Sequence, residues 1–328
     1  MSAPKAPAAS GKNYSFDEEH DERRPAQLWF QKSPEGDVLF LVFYSQACRW
    51  SQCLGCNLPS KCSARHVGFD ALMAQVDCVF SDPEVRARRD FIAKLILSNN
   101  GSMLDEVTFS STALIYLVAQ INRHLPNVSV VTFESRPEYV DVAELEFLAR
   151  ALREGPTPTK LEVAIGFEAY DDRIRNQVFR KGLNLKSLEK LAAELVPYGF
   201  RLKCYMMQKP VPGMSDEEAV EDVRRAIDHL DGLAGRHGVA VNMHLNPTYA
   251  AAGTALAESF LRGEYSPPRL ADVVRAVRHA EGKRLSVFVG LYDEGLAVEG
   301  GSFLRPGDEE TVGRLERFNR TQDFGELG

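Results

Sequence analysis

Short apolar runs alternate along most of the chain with longer amphipathic segments. Six of these runs are mostly β-branched or aliphatic and bounded by polar turns, which predicts strands. The predicted strands are Val38–Tyr44, Phe91–Leu97, Val128–Phe133, Leu161–Ile165, Arg201–Met206 and Val239–Leu245. A seventh run, Leu285–Tyr292, is expected either to close the sheet or to flank it.

The segments between these runs have apolar residues at helical spacing. They predict helices over Phe69–Phe80, Thr112–His124, Val142–Arg153, Leu185–Leu195, Asp216–Leu233 and Arg269–Ala280. Ser215, followed by Glu218 three residues later, predicts a capped helix start. A regular alternation of strand and helix implies a parallel sheet with helical crossovers. The chain is therefore predicted to be an α/β protein, a partial (β/α)6 barrel of the TIM type.

Composition changes near both ends of the chain. Residues 1–27 are rich in alanine and proline and then charged, so we expect a mobile N-terminal arm. Residues 28–298 are assigned to the barrel domain, and the acidic, glycine-rich residues 299–328 to a peripheral tail. The start has no apolar signal segment, and no stretch approaches the roughly 20 apolar residues of a membrane span, so a cytoplasmic protein is expected.

The charge balance bears on the class of partner. The chain has 39 basic and 46 acidic residues and a net charge of −7. This balance argues against a generally cationic nucleic-acid binder, although it does not exclude a local basic patch. A polyanion is therefore not the obvious partner.

A polar stretch follows each predicted strand. In chain order these stretches are the cysteine segment 48–62, SNNGSM at 98–103, ESRPEY at 134–139, GFEAYDD at 166–172, QKPVPG at 208–213 and NPTY at 246–249. In a β/α barrel the C-terminal ends of all strands meet on one face, where active sites are built. The sequence therefore predicts one composite site.

The first of these stretches contains four of the six cysteines of the chain. Cys48, Cys53 and Cys56 have the spacing CxxxxCxxC, which favours metal ligation in a reducing compartment. Three thiolates can hold an iron–sulfur cluster with an open position, whereas a structural zinc site needs a fourth ligand, either Cys62 or His66. Cys78 and Cys204 stand alone among apolar residues, where cysteine is usually a small buried hydrophobe.

The cysteine stretch resembles the cluster-binding loop of the radical S-adenosylmethionine (SAM) superfamily, whose usual spacing is CxxxCxxC. The extra residue is shared by a subgroup that includes the radical SAM subunit of archaeosine synthase, a relative of the elongator catalytic subunit. In that subgroup the loop runs roughly GCRW…C…MC…P, and ACRWSQCLGCNLP is similar to it. The resemblance continues through ESRPEYV, GFE, RKG, KCYMMQKP and NP, and covers about residues 38–268.

This resemblance implies a [4Fe–4S] cluster on Cys48, Cys53 and Cys56, with SAM chelating the fourth iron. An electron from a donor such as flavodoxin or ferredoxin would cleave SAM to methionine and a 5′-deoxyadenosyl radical, which abstracts a substrate hydrogen. The substrate would be a small molecule, a carrier-bound group or a modified tRNA base, with a partner subunit as a further expectation. Two alternatives stay open: radical sulfur insertion or methylthiolation, and a non-catalytic zinc or iron–sulfur protein.

The resemblance also suggests which residues bind SAM, although it assigns no catalytic side chain. Asn100 and Gly101 replace the family's Gly-Gly-Glu stretch, and Glu134 and Arg136 would bind the ribose hydroxyls and the carboxylate, unless they pair with each other. Glu168 resembles the family's strand-end glutamate, its alternative role being a partner for a helix dipole. The residues expected to bind SAM are Asn100, Gly101, Glu134, Arg136, Glu168 and Arg180, the last preferred over Lys181 for the carboxylate.

The remaining positions concern the substrate and two departures from the family. Lys209, Asn246 and Tyr249 are substrate candidates, whereas His244 is more simply a core residue. Gly55 stands where many family members place a bulky apolar residue against adenine, and Cys62 is expected to be a bystander.

Overall fold

The computed structural model describes residues 12–328. Eight strands form one sheet whose spatial order follows the chain. The first two strands form an antiparallel hairpin, and all later neighbours are parallel. The strands are β1 (Gln27–Ser33), β2 (Gly36–Val42), β3 (Ile92–Ser98), β4 (Val130–Ser135), β5 (Lys160–Glu168), β6 (Arg201–Gln208), β7 (Val241–Pro247) and β8 (Leu285–Val289). The partial barrel is confirmed, and the seventh apolar run joins the edge of the sheet as β8. Only β1 was not predicted.

Helices connect the parallel strands as predicted. They are α1 (Phe69–Ser81), α2 (Pro83–Arg88), α3 (Ser111–His124), α4 (Val142–Leu152), α5 (Leu185–Leu195), α6 (Asp216–His237), α7 (Ala255–Leu261), α8 (Leu270–Val277) and α9 (Glu309–Thr321). All six predicted helices are confirmed, and Ser215 and Glu218 form the predicted capping box of α6. The short helices α2 and α7 and the C-terminal α9 were not predicted, because their apolar periodicity is brief or weak.

The two faces of the sheet differ in chemistry. Alternate residues such as Leu95, Leu97 and Phe133 point outward into the apolar layer beneath the helices. The intervening residues line the barrel interior, which holds a small apolar patch around Val38 and Phe40 and otherwise many polar groups. Because side chains alternate across a strand, one sequence serves both a dry helix interface and a polar interior.

Charged side chains fill the interior at the N-terminal ends of the strands. Lys94 Nζ lies 2.8 Å from Glu162 Oε1, and Arg201 Nε lies 3.1 Å from Glu162 Oε2. Arg201 also reaches Glu35 at 2.7 Å, and Lys203 Nζ donates to Asn242 Oδ1 at 2.5 Å. This buried network forms the floor of the barrel interior.

Both terminal segments differ from expectation. Residues 1–11 of the expected arm lie outside the described residues, but residues 12–26 pack against the barrel: Asp17 N–H donates to Cys62 O at 3.1 Å. The hairpin strand β1 begins inside the expected arm at Gln27. In the expected tail, α9 buries Leu315 and Phe318 completely and packs beside β1 and β8. No helix within residues 12–328 is long and apolar enough to cross a lipid bilayer.

Candidate active site at the cysteine loop

A cavity of about 280 Å³ opens at the C-terminal ends of the strands. Its size is near the lower end of the range of roughly 300–1,000 Å³ that is usual for ligand sites. Residues that follow β2, β3, β4, β5, β7 and β8 line it. Five of the six predicted polar stretches therefore meet at this cavity, whereas QKPVPG after β6 does not line it. The predicted site residues that it brings together are Cys48, Cys53, Cys56, Asn100, Gly101, Glu134, Arg136, Glu168, Asn246 and Tyr249.

The cysteine loop is tied to the barrel by its own backbone and by Trp50. Leu54 N–H donates to Phe179 O at 2.8 Å, and Trp50 Nε1 donates to Arg180 O at 2.8 Å. A β-carbon at Gly101 would lie 3.3 Å from the Cys48 α-carbon, so a glycine allows the loop after β3 to approach the cysteine backbone closely. Two neighbouring loops thus fix the cysteines at the cavity wall.

The arrangement of donors tests which metal group the loop can hold. Cys48, Cys53 and Cys56 all line the cavity, yet within residues 12–328 no three His, Cys, Asp or Glu side chains gather as ligands of a single ion. Cys62 is completely buried outside the cavity lining, and exposed His66 faces Val107 O. A structural zinc site needs four ligands, each about 2.3 Å from one ion if thiolate. Three thiols that line one wall without converging on a single point suit a cluster of several irons better than a single zinc ion.

Burial decides the protonation of two thiols of the loop. Burial raises the pKa of Cys53 to about 12, with Lys181 opposing the shift and Cys56, Glu168 and Cys48 adding to it. Burial likewise raises the pKa of Cys56. Buried thiols with these neighbours stay protonated, and a metal that binds them must displace their protons.

A mostly buried ion pair lies beside the cysteine loop. Lys181 Nζ donates to Glu168 Oε1 at 2.8 Å, and both groups line the cavity. Burial favours the neutral amine of Lys181, but Glu168 and Cys53 outweigh it and raise the lysine pKa. The neighbouring Arg180, which the sequence favoured for this position, is exposed and outside the cavity lining. The structure therefore puts Lys181 where Arg180 was expected.

Glu134 and Arg136 each have partners other than one another. Tyr205 OH donates to Glu134 Oε1, and burial raises the pKa of Glu134 even though hydrogen bonds from Ser98 and Tyr205 oppose the shift. Arg136 Nε donates to Glu138 Oε1 at 2.5 Å, and its guanidinium lies 4.6 Å from the centre of the Trp50 ring. Glu134 and Arg136 therefore do not form the mutual ion pair that the sequence left open.

Lys209 does not reach the cavity, although the sequence predicted that it would contact the substrate. Its ammonium lies 2.7 Å from Asp216 Oδ1 and outside the cavity lining, so the structure does not bring this substrate candidate to the site. Asn246, Tyr249 and His244 do line the cavity. His244 packs between Tyr205 and Phe288, and its Nδ1 has no hydrogen-bond partner within residues 12–328.

Several residues at this site were not predicted, among them Glu294, Phe179 and Lys12. Glu294 lines the cavity after β8, and burial with Glu134 and Asp293 nearby raises its pKa to about 7. Phe179 packs 3.7 Å from where a β-carbon at Gly55 would lie, which supplies the apolar bulk that Gly55 lacks. Lys12, from the expected mobile arm, is only 6% exposed and also lines the cavity.

Unusual backbone conformations mark the same cavity. Within residues 12–328, seven non-glycine residues have positive φ, and four of them line the cavity: Ser51, Asn100, Glu168 and Glu294. A π-helix at Arg173–Val178 precedes Phe179 and Lys181. Such strained backbone is costly and tends to cluster at functional sites. Aspartate, asparagine or glycine would have been the sequence signal for left-handed backbone, and only Asn100 carries it.

No family model matches the sequence. Archaeosine synthase subunit beta of Methanosarcina acetivorans is 27% identical over 247 residues, which cover 74% of this chain and 67% of that protein. The subunit of the same name from Thermococcus kodakarensis is 27% identical over 167 residues, which cover 51% of this chain and 48% of that protein. The chain thus spans about half of the second relative.

Among solved structures, queuine lyase from Clostridium spiroforme bound to SAM and queuine has a TM-score of 0.51. The two chains are 15% identical, and the match covers 83% of this chain and 99% of that one. The resemblance to radical SAM proteins of the archaeosine synthase group is confirmed, and so is the partial barrel of the radical SAM type.

Proposed function

We propose that this chain, which has the fold of the radical SAM proteins and is related in sequence to archaeosine synthase subunit beta, is itself a radical SAM enzyme. The observation that carries the proposal is the meeting of Cys48, Cys53 and Cys56 with the Lys181–Glu168 pair in one cavity. When bound to those cysteines, a [4Fe–4S] cluster supplies the electron that cleaves SAM to methionine and a hydrogen-abstracting 5′-deoxyadenosyl radical. A small electron-transfer protein such as flavodoxin or ferredoxin would deliver that electron.

The residues of the chain would bind and orient SAM rather than transform it. Lys181 and Arg136 are the cations on the cavity wall nearest the strand ends β4 and β5, and they suit the methionine carboxylate. Glu168 holds Lys181 in place, and Asn100 and Gly101 offer backbone carbonyls to the amino group. Phe179 provides an apolar surface for the adenine ring, the part that Gly55 cannot play.

A second group of cavity-lining residues, here called the aromatic wall, suits a substrate with a flat, polar ring. Trp29, Tyr249 and Tyr292 line this wall together with the carboxylate of Glu294. Aromatic faces stack on planar bases, and a carboxylate accepts hydrogen bonds from a pair of N–H groups. Archaeosine and queuine, after which two similar proteins are named, are modified deazaguanines with such an edge. We therefore propose a modified deazaguanine as the substrate, either free or in tRNA with the help of a partner subunit.

The first experiment uses protein purified and reconstituted without oxygen. Iron, sulfide and zinc are measured, followed by 5′-deoxyadenosine formed from SAM after dithionite is added. We expect about four irons per chain and release of deoxyadenosine, both lost in Cys53→Ala. One zinc per chain, or a cluster that never cleaves SAM, would contradict the proposal and favour the non-catalytic metal protein.

The substrate class is tested by binding of queuine to the wild type and to Glu294→Gln. We expect saturable binding to the wild type, weakened about tenfold in the variant because a neutral amide replaces the acceptor pair. Binding of SAM should be the same in both proteins, which is the control. Absence of queuine binding together with normal SAM cleavage would reject the deazaguanine while leaving the chemistry intact.

A further inference from the structure

Residues 12–18 form a strap that runs across the cysteine loop, here called the N-terminal strap. Asn13 N–H donates to Gly253 O at 2.8 Å, and Asp17 N–H donates to Cys62 O at 3.1 Å. Gly253 has φ of +71°, and a β-carbon there would lie 2.6 Å from Asn13 O. The close contact at Gly253 and the bond to Cys62 hold the strap over the loop.

The strap brings two side chains, Tyr14 and Lys12, to the cysteine loop. Tyr14 lies beside residues 57–61 of that loop, and the centre of its ring is 5.8 Å from Lys12 Nζ. Lys12 enters the cavity itself and donates from Nζ to Ser51 O at 3.0 Å. Ser51 lies between Cys48 and Cys53. The Lys12 ammonium is therefore at the base of the cysteine loop.

The position of Lys12 is costly unless an anion joins it. The residue is 6% exposed, and its ammonium contacts two neutral groups, the Ser51 carbonyl and the Tyr14 ring. Within residues 12–328, no carboxylate forms an ion pair with it. A buried cation without a counter-charge carries a large desolvation penalty. The other cations that line the cavity, Arg136 and Lys181, both have glutamate partners. Lys12 alone among the three lacks one.

We propose that Lys12 is the counter-charge of the cluster held by Cys48, Cys53 and Cys56, and that it favours the reduced state of that cluster. The inference rests on the proposed function. Three thiolates on a [4Fe–4S] group carry net negative charge, and one electron from the external donor makes that charge more negative. A nearby ammonium stabilises the more negative state, so it eases reduction.

A different anion, the carboxylate of SAM, would be an alternative partner for Lys12. The geometry favours the cluster, because Lys12 hydrogen-bonds within the cysteine loop whereas Lys181 and Arg136 lie at the strand ends where SAM is expected. The two anions are separable by experiment, since the cluster can be titrated in the absence of SAM.

The test measures the midpoint potential of the reconstituted protein by redox titration followed by EPR, without SAM. The variants are Lys12→Met, Lys12→Arg and Lys61→Met, each checked for iron content. Lys61 lies on the same loop but outside the cavity lining, so its substitution is the matched control for loss of one positive charge.

We expect the equilibrium constant for one-electron reduction of the cluster to be about tenfold smaller in Lys12→Met than in the wild type. This corresponds to a midpoint potential about 59 mV more negative. Lys12→Arg and Lys61→Met should match the wild type. A second supporting outcome is that Lys12→Met fails to hold four irons while Lys12→Arg and Lys61→Met are fully loaded. That result would support the counter-charge role of Lys12, because a positive charge at position 12 would then be required to hold the cluster.

Equal potentials in the wild type and Lys12→Met would overturn the inference while leaving the proposed function intact. An unchanged potential with weaker SAM binding would likewise overturn it, in favour of the SAM carboxylate. A wild-type chain that binds no cluster would overturn the inference and the proposed function together.

Discussion

Lys181 Nζ lies 2.8 Å from Glu168 Oε1, and both atoms lie 2.2 Å from the point where a β-carbon at residue 166 would stand. The ion pair therefore occupies the space that Gly166 leaves free, at the end of β5 and beside the cysteine loop. A backbone position without a side chain is what allows two charged groups to meet over the strand.

Gly166→Ala is predicted to separate Lys181 from Glu168. The added methyl group would overlap both polar atoms, so the pair must move away from the cavity wall. We expect SAM to bind about tenfold more weakly to the variant, measured by equilibrium dialysis on reconstituted protein. Gly68→Ala is the control, because a β-carbon there meets nothing within 4 Å. Normal SAM affinity in Gly166→Ala would show that the pair does not position SAM.

Substitution of two adjacent basic residues should have unequal effects. Lys181→Gln removes the cation from the cavity and leaves Glu168 without its partner, so SAM binding should fall about tenfold or more. Arg180→Gln should bind SAM like the wild type, since this side chain is exposed and only its carbonyl holds Trp50. The dissociation constant for SAM is measured for both variants. A larger loss of affinity in Arg180→Gln would favour Arg180 as the residue that binds the SAM carboxylate, as the sequence suggested.

Cys62→Ala is predicted to leave the metal content unchanged. Cys62 is fully buried and outside the cavity lining, with its sulfur 3.7 Å from Leu58 O. We expect about four irons per chain in this variant and loss of iron in Cys56→Ala, both measured after anaerobic reconstitution. If Cys62→Ala lost its metal as fully as Cys56→Ala, a closed four-cysteine site would be the better description.

Lys203 is predicted to make folding stability depend on pH. Burial, with Lys94 nearby, lowers the pKa of Lys203 from 10.5 to about 7. Between pH 7 and 10.5 the unfolded chain therefore holds a proton that the folded chain lacks, so raising the pH favours the folded state through Lys203. Lys203→Met should lose this contribution, and its stability relative to the wild type should be greatest at pH 7 or below and decline as the pH rises.

Urea denaturation of the metal-free chain at several pH values would measure this difference. Lys186→Met, on the exposed side of α5, serves as the control for loss of a lysine. A stability difference between wild type and Lys203→Met that stayed constant from pH 7 to 10 would show that Lys203 is charged in the folded state.

Much of the fold was predictable because it follows from local spacing. The six strands are short apolar runs, the six helices have apolar residues at helical period, and a capping box marks the start of α6. The hairpin strand β1 was not predicted because its residues QLWFQKS mix polar and apolar types and are only half-buried. Helix α9 was not predicted because it is highly charged and buries only Leu315, Phe318 and Asn319.

The sequence by itself determined the order of strands and helices, the cysteine spacing and the polar stretch after each strand, because these are local patterns. Only the tertiary structure decided which side chains enter the cavity. At Arg180, positive φ and the preceding π-helix turn the arginine out and bring Lys181 in. At Lys209, contact with Asp216 draws the lysine away, and Lys12 reaches the cysteines from a segment outside the barrel. Side-chain direction depends on backbone angles and on contacts between residues far apart in the chain, and no local periodicity encodes those.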